Sequence, residues 1–391
     1  MQVQYLHRSW LRELLLFCRC SAEKKQQLVS PIAQIRLENA RVCTKVRFIS
    51  SGNTESSEMK KLRIIIPAVV LLLAIVIAAA AIFLGQAAAM ILVGGLVIAL
   101  VSLPLLLDAE KTSLSQKVRS QVSGKFIELP EGFVHYELAG PDTGQVVVLI
   151  HGFSIPYYVW DPAFEILKNN GFRVLRYDLF GRGFTERPNA NYDRRFFEVQ
   201  LLNLLEALKI NDPVDLVGLS IGAAIGSGFA ASCPERVRKL VCIGPHHEGY
   251  NISLLAVPVL GEYLAAVFMV PSLPKRQMEY FYQPEKFVEW PDLFYEQMKY
   301  KGFRRALLST LRNFVSQDQL AVYREVSKLN KPVLLIWGKE DKTVPFSDNE
   351  KIRNVLEVNF LPVDKAGHLA YYERPDIVYP KLIDFLNGNG Q

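Results

Sequence analysis

From Lys125 onward, short runs of β-branched and aromatic residues alternate with stretches whose apolar positions recur at helical spacing. The runs are "KFIEL", "FVHYELA", "VVVLI", "FRVLRYD", "VDLVG", "KLVCIG", "PVLLIWG" and "VNFLPV". Continuous apolar strands separated by helices predict a mostly parallel sheet covered on both faces. The first two runs are joined by a short Pro130-Glu131-Gly132 link, which fits an antiparallel hairpin at one edge. Between "FRVLRYD" and "VDLVG", Asp193 to Lys209 carries apolar residues at helical spacing and should cover one face of the sheet. The alternation stops from about His246 to Leu320, a stretch rich in aromatic residues and prolines and without a convincing strand. It is expected to be a helical insertion after the sixth strand.

Ahead of the alternating region, Leu62 to Leu107 is apolar except for small residues, Pro67, Gln86, Ser102 and Pro104. One bilayer crossing needs ~20 apolar residues, so this run is long enough for two, with a reversal near Gly85 and Gln86. Lys60, Lys61 and Arg63 precede it, and Lys111, Lys117 and Arg119 follow it. The pattern predicts a transmembrane hairpin with both ends, and the domain behind them, on the cytoplasmic side. The rival reading is a secretory signal starting at Met59, which would export the domain. Residues 1–58 have no sustained apolar period and are expected to be a poorly ordered extension or the product of a mis-assigned start. Cys18 and Cys20 are read as unmodified thiols, with lipid attachment as the alternative.

Composition narrows the classes further. Half of the 391 residues are hydrophobic, enough for one large core. The formal net charge is +6, of which +4 falls in residues 1–58 by nine Lys/Arg against five Asp/Glu. The folded region therefore lacks the basic stripe of a nucleic-acid binder. Five cysteines without paired spacing imply neither a disulfide framework nor a zinc site, and Cys233 and Cys242 read as small core residues.

The candidate chemistry centres on "VGLSIGAAIG", Val217 to Gly226. Ser220 stands between an apolar strand and a helix of small residues, the context a nucleophile elbow requires. A dinucleotide-binding turn would need G-x-G-x-x-G spacing, which these glycines do not have. A serine hydroxyl needs a base, and among six histidines His368 follows the last apolar strand, so its loop faces the same crevice as Ser220. An acid must orient that base. Asp341, after the preceding strand, is the candidate, with neighbouring Glu340 and with Asp364 as alternatives. The backbone N–H groups of Phe153 and Ile221 are expected to hold a developing oxyanion. His151 is expected to shape the loop that carries Phe153.

Five motifs then stand in order: "HGFS", "DLFGRGFTERP", "GLSIG", "WGKEDKTVP" and "AGHLAYYERP". Over roughly Lys125 to Asn387 the chain resembles the α/β-hydrolase fold superfamily, in its serine-triad, cap-containing form. The resemblance implies an α/β fold with a mostly parallel eight-stranded sheet and a helical cap after strand six. It also implies structural roles for Asp178, Gly181 and Gly183 in a turn. The expected division is 1–58 extension, 59–110 membrane segment, 120–245 and 321–391 hydrolase core, and 246–320 cap.

The expected function is a membrane-tethered serine hydrolase of carboxylic esters with an apolar acyl group, lipid or small-molecule, working through Ser220, His368 and Asp341. No metal or organic cofactor is required, and the partners expected are substrate and membrane, with no nucleic acid. Two alternatives stand beside it. One is hydrolysis of a carbon–carbon bond in ring-fission products, for which Arg276, Arg304 or Arg305 could supply a cap arginine; the other is a non-catalytic binding module of the same fold.

Overall fold

The computed structural model describes Ile75 and residues 86–388. The expected extension 1–58, Cys18, Cys20 and the first half of the apolar run lie outside the described residues. The chain divides into two units, Met1–Ile98 and Ala99–Gln391.

Helix α1 covers Gln86–Leu106. It corrects the expected transmembrane hairpin over 59–110, because among the described residues no helix is long and apolar enough to cross a membrane. A crossing takes ~20 apolar residues in one run. Within α1 the stretch between Gln86 and Ser102 is apolar or small, and Pro104 lies beyond it inside the helix. Membrane anchoring, the membrane as a partner and the cytoplasmic placement of the domain all rested on that hairpin, and none is supported.

Eight strands form one sheet: β1 (Lys125–Leu129), β2 (Gly132–Ala139), β3 (Val146–Ile150), β4 (Arg173–Tyr177), β5 (Val214–Leu219), β6 (Val237–Ile243), β7 (Val333–Gly338) and β8 (Asn359–Val363). Their spatial order is β1-β2-β4-β3-β5-β6-β7-β8. β2 is antiparallel to β1 and to β4, and every other pair is parallel. Parallel strands need crossovers, which are supplied by helices α2 (Asp161–Asn169), α3 (Arg194–Ala207) and α4 (Ile221–Ser232). Both faces are covered, so β5 and β7 are buried at every position. α3 begins where the sequence puts its cap: the Asp193 carboxylate accepts a hydrogen bond from the Phe196 N–H at 2.7 Å. Its apolar face, Phe197, Leu201, Leu204 and Leu205, is fully buried.

Between β6 and β7 the chain is helical, including α5 (Val270–Arg276), α6 (Trp290–Met298), α7 (Phe303–Thr310) and α8 (Leu320–Ser327). α5 to α7 have a core of their own built from Ala265, Leu273, Phe294, Phe303 and Leu307 among others. Phe294 and Phe303 are thereby accounted for as packing, and Phe281 and Trp290 are buried in the cluster that includes Leu334 and Ile336 of β7. Phe153 lies against both this cap core and the main core beneath the sheet. The last helix, α9 (Pro375–Asn387), packs on the opposite face, where Leu382 and Leu386 are buried.

Candidate active site

Parallel strands put their carboxyl ends on one edge of the sheet, and the loops there meet in a crevice. Ser220 directly follows β5 with φ 56 and ψ −118, a backbone conformation that costs a non-glycine residue about 1–3 kcal/mol. The neighbouring glycines make the turn sterically possible. A Cβ on Gly222 would lie 2.2 Å from the Ile150 carbonyl oxygen at the end of β3, and one on Gly218 would lie 2.4 Å from the Gly222 carbonyl oxygen. The turn is pinned to the next strand, with Ser220 N–H donating to the Ile243 carbonyl at 2.9 Å and His246 N–H donating to the Ser220 carbonyl at 3.1 Å.

Asp341 and His368 arrive from the loops after β7 and β8. His368 Nδ1 lies 2.7 Å from Asp341 Oδ2, and both side chains are buried. The other Asp341 oxygen accepts from the Thr343 and Val344 N–H groups at 2.8 and 2.9 Å. A carboxylate held this way can only accept, so Nδ1 of His368 carries the proton and Nε2 keeps its lone pair. Glu340 is turned away, accepting from the Ala366 N–H at 2.9 Å. Asp364 is an exposed turn residue paired with Lys339 at 2.7 Å, and that cation holds its carboxyl below the usual range.

Gly244 joins the three residues. It follows β6 with φ +47, and a Cβ there would lie 2.9 Å from His368 Nδ1 and 3.1 Å from Asp341 Oδ2. The segment after β6 that braces Ser220 thus also lies against the acid and the base.

The "HGFS" loop closes the crevice from the other side. A Cβ on Gly152 would be 3.4 Å from Ser220 Cβ, which puts Phe153 beside the serine. Ile221 opens α4, and the first N–H groups of a helix have no intrahelical acceptor. His151 lies beneath, its Nδ1 2.8 Å from the Gly152 carbonyl oxygen and its Nε2 accepting from the Leu179 N–H at 2.9 Å. Burial pushes this imidazole down to about 4, against the nearby Asp178 charge, so it is neutral at pH 7. Asp178 accepts from the Tyr157 and Phe184 N–H groups and lies 2.8 Å from His135 Nδ1. Burial alone would raise its pKa, but His135 and these hydrogen bonds hold it below the usual carboxylate range. A Cβ on Gly183 would strike that carboxylate, which fixes the glycine of the turn.

Three residues of the site were not singled out from the sequence. Arg182, fully buried, donates from Nε to the Phe153 carbonyl at 2.8 Å and from its terminal nitrogens to the Phe180 carbonyl and the Thr310 hydroxyl of α7. Tyr280, in the turn after α5, accepts the His368 N–H at 2.7 Å, and its ring lies 5.5 Å from the imidazole. Glu373 accepts from Gly367, Tyr282 and Gln283 N–H groups at 2.7–2.9 Å, tying the His368 loop to the cap. Arg182 and Glu373 lie inside "DLFGRGFTERP" and "AGHLAYYERP", whereas Tyr280 lies in no motif; their partners are more than 25 residues away in most cases and invisible to local pattern.

Residues 147–380 match the alpha/beta hydrolase family. The chain belongs to that family, and it is an enzyme of the α/β-hydrolase fold. Among its relatives, a 2-hydroxy-6-oxo-2,4-heptadienoate hydrolase of Pseudomonas putida is 27% identical over 272 residues, covering 65% of this chain and 94% of the relative. A 2-hydroxy-6-oxononadienedioate/2-hydroxy-6-oxononatrienedioate hydrolase, also of Pseudomonas putida, is 25% identical over 295 residues, covering 70% of this chain and 99% of the relative. A solved meta-cleavage product hydrolase from Pseudomonas fluorescens IP01 superposes with a TM-score of 0.57 at 23% identity, over 68% of this chain and 98% of that one, a likeness of fold.

These relatives correct the expected function. The reading of a membrane-tethered hydrolase of lipid-like carboxylic esters drew on an anchor that the structure does not support and on cap aromatics, of which Phe281, Trp290, Phe294 and Phe303 are buried as packing. The named relatives are ring-fission product hydrolases instead.

Proposed function

We propose that the enzyme hydrolyses a carbon–carbon bond in a 2-hydroxy-6-oxo-2,4-dienoate, with Ser220 as nucleophile, His368 as base and acid, and Asp341 as the group that orients His368. The observation that carries the reading is the Asp341–His368 pair at 2.7 Å, at the same strand ends as a strained Ser220, in a chain whose relatives include two dienoate hydrolases. In this reading residues 246–320 act as the cap over a core of 120–245 and 321–391.

The chemistry follows from the residues. Transfer of the enol proton from the 2-hydroxyl to C5 leaves C5 saturated, beside the ketone at C6. Ser220 Oγ attacks C6 while His368 Nε2 takes its proton, and the N–H groups of Phe153 and Ile221 receive the oxyanion. When the bond from C5 to C6 breaks, its electron pair passes into the dienolate conjugated with the C2 oxygen, and His368 returns the proton to that leaving group. Water, deprotonated by His368, then releases the acyl group from Ser220 as a carboxylic acid.

A dienoate substrate brings a carboxylate, which a cap arginine can bind. Arg305 is engaged with the Arg187 and Pro188 carbonyls, and Arg304 is paired with Asp108. Arg276, at the end of α5, is exposed and close enough to lower the pKa of the Tyr280 phenol against the larger, opposing effect of burial. The reading assigns the carboxylate to Arg276.

The test is turnover of 2-hydroxy-6-oxo-2,4-heptadienoate by the purified chain, with acetate and 2-hydroxypenta-2,4-dienoate identified as products. Cleavage of p-nitrophenyl butyrate with no turnover of the dienoate would reject the reading.

A further inference from the structure

Away from Ser220, the segment that leaves β6 places a buried histidine against two carboxylates. His247 is 2% exposed, and its backbone is fixed by the Gln319 N–H donating to its carbonyl at 2.9 Å. Its Nδ1 lies 3.1 Å from the Pro245 carbonyl oxygen. A carbonyl only accepts, so Nδ1 holds the proton and Nε2 of the neutral ring is left with a lone pair. This Nε2 is buried with no hydrogen-bond partner. It points at Asp348, whose Oδ2 is 3.5 Å away. One ligand atom from each of His247, Glu248 and Asp348 lies within 4.8 Å of the other two. The group lines a cavity of about 210 Å³ together with Tyr250 and Pro345.

A nitrogen lone pair facing a carboxylate oxygen is repulsive unless a proton or a metal cation lies between them, and at 3.5 Å no hydrogen bond joins the two. Lys351 supplies positive charge to the carboxylates, pairing with Glu248 and lying 3.2 Å from Asp348 Oδ1. It approaches the oxygen of Asp348 that is turned away from the histidine, so Nε2 stays unsatisfied. Its side chain is 41% exposed and can withdraw into solvent.

We propose that His247, Glu248 and Asp348 form a site for a first-row divalent cation, with Lys351 as the resident charge that the metal displaces. One imidazole nitrogen and two carboxylates form a zinc-type donor set that leaves a fourth position for water. The bond geometry at Nδ1 is the arrangement that fixes the tautomer and orientation of a metal-binding histidine. The site lies away from the chemistry but is connected to it. His247 is three residues beyond Gly244, and Asp348 ends the loop that begins at Asp341, so a bound cation would tie the base of the cap to the loop carrying the acid.

The experiment is zinc titration of the chelator-treated full chain by calorimetry, with melting temperature as a check on folding. The wild type is expected to take up one zinc that Asp348→Asn and Glu248→Gln each weaken at least tenfold, both being changes at partly exposed side chains. Lys351→Met removes the competitor and should tighten binding at least threefold. His247→Ala should abolish the site, and because that side chain is buried the two carboxylate variants carry the test if it fails to fold. Zinc affinity unchanged across Asp348→Asn, Glu248→Gln and Lys351→Met would overturn the proposal, since the metal would then sit elsewhere. Uptake by Lys351→Met alone would overturn it too, by showing that Lys351 is the permanent cation.

Discussion

Arg182 Nε donates to the carbonyl oxygen of Phe153 at 2.8 Å, while one terminal nitrogen of the same guanidinium reaches Thr310 in the cap. The residue whose N–H is assigned to the oxyanion is thus held at its carbonyl by an arginine that also grips the cap. Among the described residues Arg182 has no carboxylate partner, and burial holds its guanidinium well below the usual arginine range. A fully buried charge is retained at that cost only if its geometry matters.

Arg182→Lys keeps the charge and loses the fork of donors. We expect kcat to fall about tenfold to a hundredfold with KM little changed, because misplacing one oxyanion donor costs about 3 kcal/mol at most. Fluorophosphonate labelling of Ser220 should slow in parallel. A proportionate rise in KM with unchanged kcat would make Arg182 part of substrate binding instead.

Gly244→Ala places a methyl group 2.9 Å from His368 Nδ1 at a backbone φ of +47. The side chain must push apart the Asp341–His368 pair or strain the turn, and a displacement near 1 Å costs about a hundredfold in rate. Steady-state kinetics beside a circular dichroism spectrum checks this; wild-type kcat in a normally folded variant would show that the pair tolerates the intrusion.

His151 is held neutral by burial, its pKa about 4 against about 6.5 in an unfolded chain. With the folded value depressed, the unfolded state binds the extra proton first. The stability involved is complete above about pH 6.5 and is lost as pH falls toward 4, about 2 kcal/mol between pH 7.5 and 5. Urea unfolding at those two pH values should show that loss in the wild type and a smaller one in His151→Asn. Equal losses in both would remove His151 as the source.

Arg276→Met should raise KM for the dienoate at least tenfold and leave KM for a neutral p-nitrophenyl ester unchanged. The split matters because a general defect in the cap would move both. Equal effects on the two substrates would withdraw the assignment of the carboxylate.

Much of the fold was legible because parallel strands buried on both faces are close to continuously apolar: β3 and β7 are, and β5 is interrupted only by Asp215, which pairs with Arg238. The positions of Ser220, Asp341 and His368 were legible for the same reason, each following an apolar run at the same edge of the sheet. Arg182, Tyr280 and Glu373 were not, since what they do depends on pairings between the cap and the core that no local period encodes. The apolar run ahead of the domain misled because hydropathy summed over Leu62 to Leu107 takes no account of the interrupting positions inside it, Ser102 and Pro104 of α1 among them. The preference for lipid esters failed with it, because Phe294 and Phe303 face each other inside the cap at 5.8 Å.

The most direct measurement is the rate at which the conjugated absorbance of 2-hydroxy-6-oxo-2,4-heptadienoate disappears with the wild type and with Ser220→Ala. The account predicts turnover by the wild type and a loss of about a million-fold in the variant, the scale on which removal of a serine nucleophile acts. Equal rates for the two proteins, or a wild type that cleaves only esters, would contradict it.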